Sequence, residues 1–168
     1  MMNTENAEIK AYITGLLETY TERTQKIALL HYELEHPGQI TEDELLAAIT
    51  LSGPKDESGI RGSGVSDKTM RIAMSYRETA QRLNSAVILE IRRDLQAREW
   101  EIDRLNFYME FLTKEEQGIL RLYYFEKRPW SRIEKETGLS RRTLVRRRSD
   151  AIDRLTQMYA YTGAYREK

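Results

Sequence analysis

The sequence contains no cysteine and only three prolines among its 168 residues. The absence of cysteine excludes a disulfide framework, a zinc site built on thiolates and thiol catalysis, and nothing favours secretion. No apolar run reaches the roughly 18 residues that a membrane span needs, and the first residues lack the apolar core of a signal peptide. We therefore expect a soluble, cytoplasmic protein that does not interact with a membrane.

The net charge is zero, since 27 Lys and Arg balance 27 Asp and Glu, but the charges are unevenly distributed. Residues 1–126 contain 15 basic and 22 acidic side chains, a net charge of −7, whereas residues 127–168 contain 12 and 5, a net charge of +7. A basic segment is typical of a surface that binds a polyanion, because Lys and Arg release condensed counterions from a phosphate backbone. Charge alone leaves a solvated basic helix open as the alternative.

Hydrophobic periodicity predicts an all-α protein, since no segment alternates with a period of two. In residues 6–35 apolar side chains recur in steps of three and four, which indicates an amphipathic helix that ends before Pro37. Thr41, followed by acidic residues, predicts the N-cap of a short helix. Residues 53–66 contain four of the nine glycines and have no period, which indicates a flexible loop.

A long helix is predicted from residue 67 to residue 112, because neither proline nor glycine interrupts the amphipathic pattern. At 1.5 Å per residue this helix is about 69 Å long, against about 45 Å for the first helix. We expect the two helices to form an antiparallel hairpin or short coiled coil in an N-terminal domain of residues 1–100.

A homodimer is predicted because one helical partner cannot cover all the apolar side chains of the long helix. The stripe near its end must be buried by the C-terminal region or by a second chain; it comprises Ile102, Leu105, Met109 and Leu112. The outer face of the helix carries further apolar side chains, namely Ile72, Ile88 and Trp100. Exposed apolar patches of this kind commonly mark an interface.

The C-terminal domain, residues 101–160, has the layout of a helix-turn-helix unit, with residues 161–168 as a tail. Thr113 and Glu116 form a capping-box pattern at the start of its first helix. Pro129 fits the first turn of the next helix, and Trp130 is predicted to be a hydrophobic plug rather than a base-stacking residue.

The turn of this unit lies at Gly138, where a left-handed backbone is predicted because a Cβ would clash between two close helices. Ser140 is predicted to cap the last helix, which runs from Arg141 to about Tyr159. In a helix-turn-helix protein this second helix enters the major groove of DNA. The partner predicted for the basic end is therefore double-stranded DNA.

Candidate DNA contacts fall into two groups. The side chains opposite the buried stripe of the last helix are assigned to base readout, because arginine makes bidentate contacts with guanine; they are Arg141, Arg142, Val145 and Arg146. The remaining basic and hydroxyl side chains are assigned to phosphates, which position the protein without specifying sequence. They are Lys127, Arg128, Arg132, Lys135, Ser140, Thr143, Arg147 and Arg148.

The segment LTKEEQGILRLYYFEKRPWSRIEKETGLSRRTLVRRRSDAIDRL, residues 112–155, resembles region 4 of the sigma-70 class of transcription initiation factors. This resemblance implies a helix-turn-helix that recognises promoter DNA. The spacing of the apolar positions, the turn glycine and the cap is preserved. Three sites depart from the family pattern: Glu134 replaces alanine, Thr137 replaces leucine, and the pair Arg147–Arg148 stands where one apolar residue is usual.

The layout of the whole chain resembles small phage-encoded regulators of Gram-positive bacteria. An N-terminal helix, a glycine-rich loop, a long helix and a region 4-like end follow one another in that order. This second resemblance implies a phage or prophage DNA-binding regulator without an enzyme activity.

Catalytic and metal-binding patterns do not stand out among the many charged side chains. His31 and His36 are five residues apart, whereas two ligands on a helix lie four apart, and no third ligand is evident. Neighbouring carboxylates such as Glu115 and Glu116 are typical of any charge-rich helical protein. We expect no metal, no cofactor and no enzyme activity.

Three functions stay open on the sequence. The first is a DNA-binding transcription regulator that recognises a promoter or operator. The second is a phage DNA-packaging component, because small terminase subunits also join a helix-turn-helix to a helical oligomerisation segment. The third is a protein that engages RNA polymerase through its region 4-like end and touches DNA weakly.

Overall fold

The computed structural model of the protein describes residues 2–41, 43–44 and 67–164. Their regular secondary structure is entirely helical, which confirms the all-α prediction. The helices are α1 (Met2–Glu18), α2 (Tyr20–Glu35), α3 (Asp67–Met109), α4 (Lys114–Leu120), α5 (Trp130–Thr137) and α6 (Arg141–Thr162), with a π-helical turn at Arg121–Phe125. The loop predicted at residues 53–66 and most of the short helix predicted after Thr41 lie outside the described residues.

The first predicted helix is two helices, α1 and α2, separated by Thr19 alone. The backbone hydrogen bonds continue across the interruption, since Thr19 N donates to Gly15 O at 3.1 Å and Arg23 N donates to Thr19 O at 2.9 Å. The hydroxyl of Thr19 also donates to Gly15 O, at 2.7 Å. A threonine that bonds back to the preceding turn often bends a helix, which accounts for the local break.

Two compact units divide the chain. One consists of Met1–Leu29 together with Gln96–Lys168, and the other of Leu30–Leu95. This division differs from the predicted boundary at residue 100, because α1 is grouped with the C-terminal helices.

The core of the first unit explains why α1 is placed there. Four fully buried side chains on one face of α1 pack in the same cluster as the end of α3 and as α6; they are Ile9, Ile13, Leu16 and Leu17. An ion pair at the surface, Lys10 Nζ to Asp153 Oδ1 at 2.6 Å, also joins α1 to α6. The predicted pairing of the whole first helix with the start of the long helix is therefore replaced, for α1, by packing on α6.

The apolar stripe near the end of the long helix is buried within the same unit. Leu105 is completely buried, and the three other members, Ile102, Met109 and Leu112, are at most 5% exposed. The sequence allowed this stripe to be buried either by the C-terminal region or by a second chain, and in the structure it is buried within the chain.

In the second unit, the residues that follow α2 lie against α3. Ile40 N donates to Asn84 Oδ1 at 3.1 Å, and Asn84 Nδ2 donates back to Ile40 O at 3.4 Å. Next to it, Glu44 N donates to the Thr41 hydroxyl at 3.3 Å while Thr41 N donates to Glu44 Oε2 at 3.0 Å. This exchange confirms the N-cap predicted at Thr41.

Candidate nucleic-acid interface

The capping box predicted before α4 is present. Glu116 N donates to the Thr113 hydroxyl at 3.3 Å, and Thr113 N donates to Glu116 Oε2 at 2.9 Å. The Glu116 side chain is only 1% exposed, and Arg154 Nη1 lies 3.5 Å from the same carboxylate oxygen. The buried charge is therefore hydrogen-bonded and paired, and it fixes the start of the helix on which α5 and α6 pack.

A second core cluster joins α4, α5 and α6. Its centre consists of three side chains that are at most 1% exposed, one from each helix: Ile119, Ile133 and Leu144. Trp130 packs at its edge, stacked on Tyr123 with ring centroids 4.4 Å apart. Trp130 therefore is a hydrophobic plug, as predicted, and the three helices form one packed group.

The turn between α5 and α6 has the predicted local geometry. Gly138 has φ of +70° and its amide donates to Glu134 O at 2.9 Å. Its predicted role is confirmed with a correction, because a Cβ built at Gly138 would meet nothing within 4 Å. The requirement for glycine is thus the left-handed backbone and not lack of space. Ser140 caps α6 by accepting from Thr143 N at 3.3 Å.

The four residues assigned to base readout lie together on the outer face of the first turns of α6. Arg141, Arg142, Val145 and Arg146 are all exposed. The opposite face of the helix is buried, since Leu144, Ala151 and Leu155 are 0% exposed. The side chains on this outer face, which we name the arginine face, can meet a groove or a backbone without disturbing the core.

Some of the residues assigned to phosphates are bonded to acidic side chains of the protein, and others are exposed. Arg128 donates to Glu126 Oε2 at 2.5 Å and also to Glu136, and Arg132 Nε donates to Glu136 Oε1 at 3.0 Å. The hydrogen bond from Arg132 to Glu136, and to a lesser extent that from Arg128, holds the pKa of Glu136 below its ordinary value. Lys135 is exposed. Arg128 and Arg132 would have to exchange Glu136 for a phosphate in order to bind one.

Lys127 is bonded to the end of α1. Its amino group donates to Glu18 O, at 2.6 Å, at the end of α1. A cation is favourable at this end of a helix, where carbonyl groups lack partners. Lys127 also has φ of +53°, in the left-handed region, two residues after the π-helical turn ends at Phe125. This predicted phosphate ligand therefore joins α1 to the C-terminal helices.

Arg147 and Arg148 also make contacts within the protein. Arg147 Nε lies 3.5 Å from Glu115 Oε1. The guanidinium carbon of Arg148 lies over two rings, 5.0 Å from the centroid of Tyr123 and 5.5 Å from that of Trp130. Both arginines are half-buried and make packing contacts within the protein, and their assignment to phosphates stays a prediction.

The hydroxyl groups assigned to phosphates are engaged as well. Ser140 Oγ and Thr143 Oγ1 are 3.0 Å apart, so these two hydroxyls share a hydrogen bond within the cap of α6. They hold the backbone of the first turn and place the arginine face.

Glu134 contacts the start of α6, which the sequence did not predict. Arg141 N donates to Glu134 Oε1 at 2.7 Å. The carboxylate thus lies at the amino end of α6, where the helix dipole favours a negative charge. The only sequence signal was that, under the predicted resemblance to sigma region 4, Glu134 stands where alanine is usual.

A separate aromatic surface lies at the end of α3. Its members, which we name the aromatic face, are exposed by 56 to 93%: Trp100, Phe107, Phe111 and Tyr161. The last three border a groove of about 630 Å³ between α3 and α6, together with Met158 and Arg154. Such a surface is unusual on an isolated soluble protein.

Two features are absent from the part of the chain that the structure describes. No helix there is long and apolar enough to cross a membrane. Over the same part of the chain, no three His, Asp or Glu side chains are grouped so that they could hold a metal ion.

Comparison with known proteins identifies a family but no activity. No curated protein matches the chain significantly, and no solved structure does. The profile of one family, described as a protein of unknown function (DUF722), matches residues 55–157, which is more than half of the chain. The protein therefore belongs to the DUF722 family.

Proposed function

We propose that this protein is a DNA-binding transcription regulator in which α5 and α6 form a helix-turn-helix and α6 enters the major groove. The arginine face is the observation that carries the proposal. Three exposed arginines and one exposed valine share the outer side of the first turns of α6, while the inner side is anchored in the core. This is the arrangement that base readout by a helix requires.

The charge distribution supports the same function. Residues 127–168 carry a net charge of +7, and a surface of this sign attracts a phosphate backbone. Exposed Lys135 is a candidate phosphate ligand, and Arg132 is a second one if it exchanges Glu136 for a phosphate. The proposed regulator binds DNA and catalyses no reaction. Its origin in a phage or prophage is also proposed, and this part depends on the sequence resemblance.

The function is tested by selecting duplexes from fragmented genomic DNA with the purified protein and measuring the affinity of the selected sequence by fluorescence anisotropy. We expect the logarithm of the binding constant to fall with the logarithm of salt concentration with a slope of about −4 to −5, for about five phosphate contacts. No binding to any duplex at low salt would contradict the proposal and would favour a protein that engages RNA polymerase instead.

A matched pair of triple variants locates the interface. Replacement of Arg141, Arg142 and Arg146 by alanine should abolish specific binding. The control replaces Arg82, Arg92 and Arg93, three exposed arginines of α3, and removes the same charge. Equal loss of affinity in both variants would show that binding depends on total charge and not on α6.

The aromatic face favours a protein partner, and we propose that this partner is a second copy of the chain. An aromatic side chain buries about 150 to 250 Å² when covered, so the exposed parts of these four offer roughly 500 Å². A stable interface needs about 800 Å² from each partner, so the aromatic face would supply most of one side. A dimer would also present two α6 helices to half-sites of one duplex.

A further inference from the structure

We propose that Glu134 acts as an internal anion at the amino end of α6 and thereby limits sequence-independent binding of DNA phosphates there. The proposal rests on the proposed function for its role, but its physical basis can be measured without DNA. Its starting point is the hydrogen bond from Arg141 N to Glu134 Oε1, 2.7 Å long.

The amino end of a helix ordinarily attracts a phosphate, because its first amide groups lack partners and the helix dipole is positive there. In α6 two of these amides are already bonded by side chains of the chain itself. Arg141 N is bonded by the Glu134 carboxylate, and Thr143 N is bonded by the Ser140 hydroxyl. A phosphate that approached this end would have to displace Glu134 or lie beside its negative charge.

A second glutamate of α5 acts on neighbouring groups in the same way. Glu136 accepts hydrogen bonds from Arg128 and Arg132, two cations that a phosphate would otherwise bind. Both acidic side chains of α5 therefore neutralise groups beside the arginine face. The two glutamates lower the affinity for a duplex of arbitrary sequence. The base contacts of the arginine face therefore contribute a larger share of the total binding free energy.

The first experiment uses inorganic phosphate as the probe. In the wild-type protein the NMR signals of the Arg141 and Arg142 amides should not move as phosphate is added, whereas in Glu134→Ala they should shift in a saturable way. Ser140 and the rest of the first turn are unchanged in this variant, which frees the Arg141 amide and also removes the negative charge of Glu134. Equal shifts in both proteins would overturn the proposal, whatever the protein does with DNA.

The second experiment separates the charge from the hydrogen bond. Glu134→Gln keeps a carbonyl oxygen that can accept from Arg141 N but loses the negative charge. We expect its affinity for a duplex of arbitrary sequence to rise about two- to fivefold, the range for one exposed charge. The salt slope should steepen by about one, as for one additional phosphate contact.

The control for this variant is Asp103→Asn, which removes an exposed charge from α3. Arg104, the next residue, bonds to Ala164 O beyond the far end of α6, whereas Glu134 bonds to the first residue of this helix. The 22 residues of α6 span about 33 Å at 1.5 Å each. This distance exceeds the screening length of about 8 Å in physiological salt, and no change in affinity is expected.

The outcomes distinguish this inference from the proposed function. If the wild-type protein binds duplexes and Glu134→Gln binds them no better, the inference is wrong and the proposed function stands. If Glu134→Gln weakens binding to the selected sequence alone, Glu134 contacts a base and the inference is again wrong. If wild-type protein binds no duplex, the proposed function fails, and the phosphate titration still decides whether Glu134 excludes anions.

Discussion

The guanidinium of Arg148 lies against the ring of Trp130, 5.5 Å from its centroid, on the side of α6 that faces α5. It lies closer still to Tyr123, 5.0 Å from the centroid of a ring that is stacked on that of Trp130. An arginine can occupy a position where an apolar residue is usual, because its planar group stacks on aromatic faces and its aliphatic stem packs like a hydrocarbon. The basic side chains of α6 thus differ in role according to the face they occupy.

The first prediction contrasts Arg148 with Arg146, two residues earlier on α6. Arg148→Ala should lower the free energy of unfolding by about 1 kcal/mol, because it removes a half-buried cation from two aromatic rings. Arg146→Ala, on the exposed side, should leave stability within about 0.5 kcal/mol. Urea denaturation followed by Trp fluorescence measures both values, and equal stability losses would contradict the assignment of the two faces.

The second prediction separates base readout from phosphate binding. Arg142→Ala or Arg146→Ala should cost about 1 to 3 kcal/mol at the selected duplex and relax the base preference. Lys135→Ala should weaken binding to all sequences about equally. Affinities for a set of single-base variants of the duplex measure both effects. If Lys135→Ala changed the base preference and the arginine variants did not, the two roles would have to be exchanged.

The third prediction uses two glycines with the same free space but different backbones. A Cβ at Gly138 or at Gly118 would meet nothing within 4 Å, but only Gly138 has a positive φ. Gly138→Val should therefore lower the free energy of unfolding by about 1 to 2 kcal/mol, the cost of a left-handed conformation.

Gly118→Ala in α4 is the matched control and should stabilise the protein by about 0.5 to 1 kcal/mol, because alanine loses less backbone entropy in a helix. Thermal melting measured by circular dichroism compares the two variants. A Gly138→Val protein as stable as the wild type would contradict the role of the left-handed turn.

The fourth prediction concerns alkaline pH. Tyr12 donates a hydrogen bond to Glu101 Oε1 at 3.2 Å, and burial together with this carboxylate raises the pKa of Tyr12 from 10.0 to about 12. In the unfolded chain the phenol ionises near 10, so its contribution to stability is complete below pH 10 and is lost as the pH rises towards 12.

Denaturation between pH 9 and 12 measures this effect. The wild-type free energy of unfolding should fall more steeply with pH than that of Tyr12→Phe, which has no phenol to ionise. Identical slopes would show that Tyr12 titrates alike in the folded and unfolded chains.

The features predicted correctly from the sequence depend on residues close together in the chain. The caps at Thr113 and Ser140 and the turn at Gly138 each involve a few consecutive residues, so local chemistry specifies them. The packing of α1 on α6 could not be predicted in this way, because two apolar stripes more than 100 residues apart can pair with several partners. The same holds for Arg148, since the pattern shows a basic residue but not the rings of Tyr123 and Trp130 beneath it.

The last prediction concerns the proposed dimer. Trp100 and Phe107 are seven residues apart in α3, a spacing that places both along one side of that helix as in the seam of a coiled coil. Phe111, just after the helix ends at Met109, lies against Phe107 with ring centroids 5.2 Å apart. Light scattering should give twice the chain mass of 19.8 kDa at micromolar concentration, and Phe107→Ser with Phe111→Ser should return it to a single chain.

The control for this dimer variant is Leu29→Ser with Leu89→Ser, which removes two exposed leucines that lie outside the aromatic face and should leave the dimer intact. A mass of one chain at every concentration would contradict the dimer, and a ring of many chains would favour a DNA-packaging component. A dimer that survives the double phenylalanine variant would place the interface elsewhere than on the aromatic face.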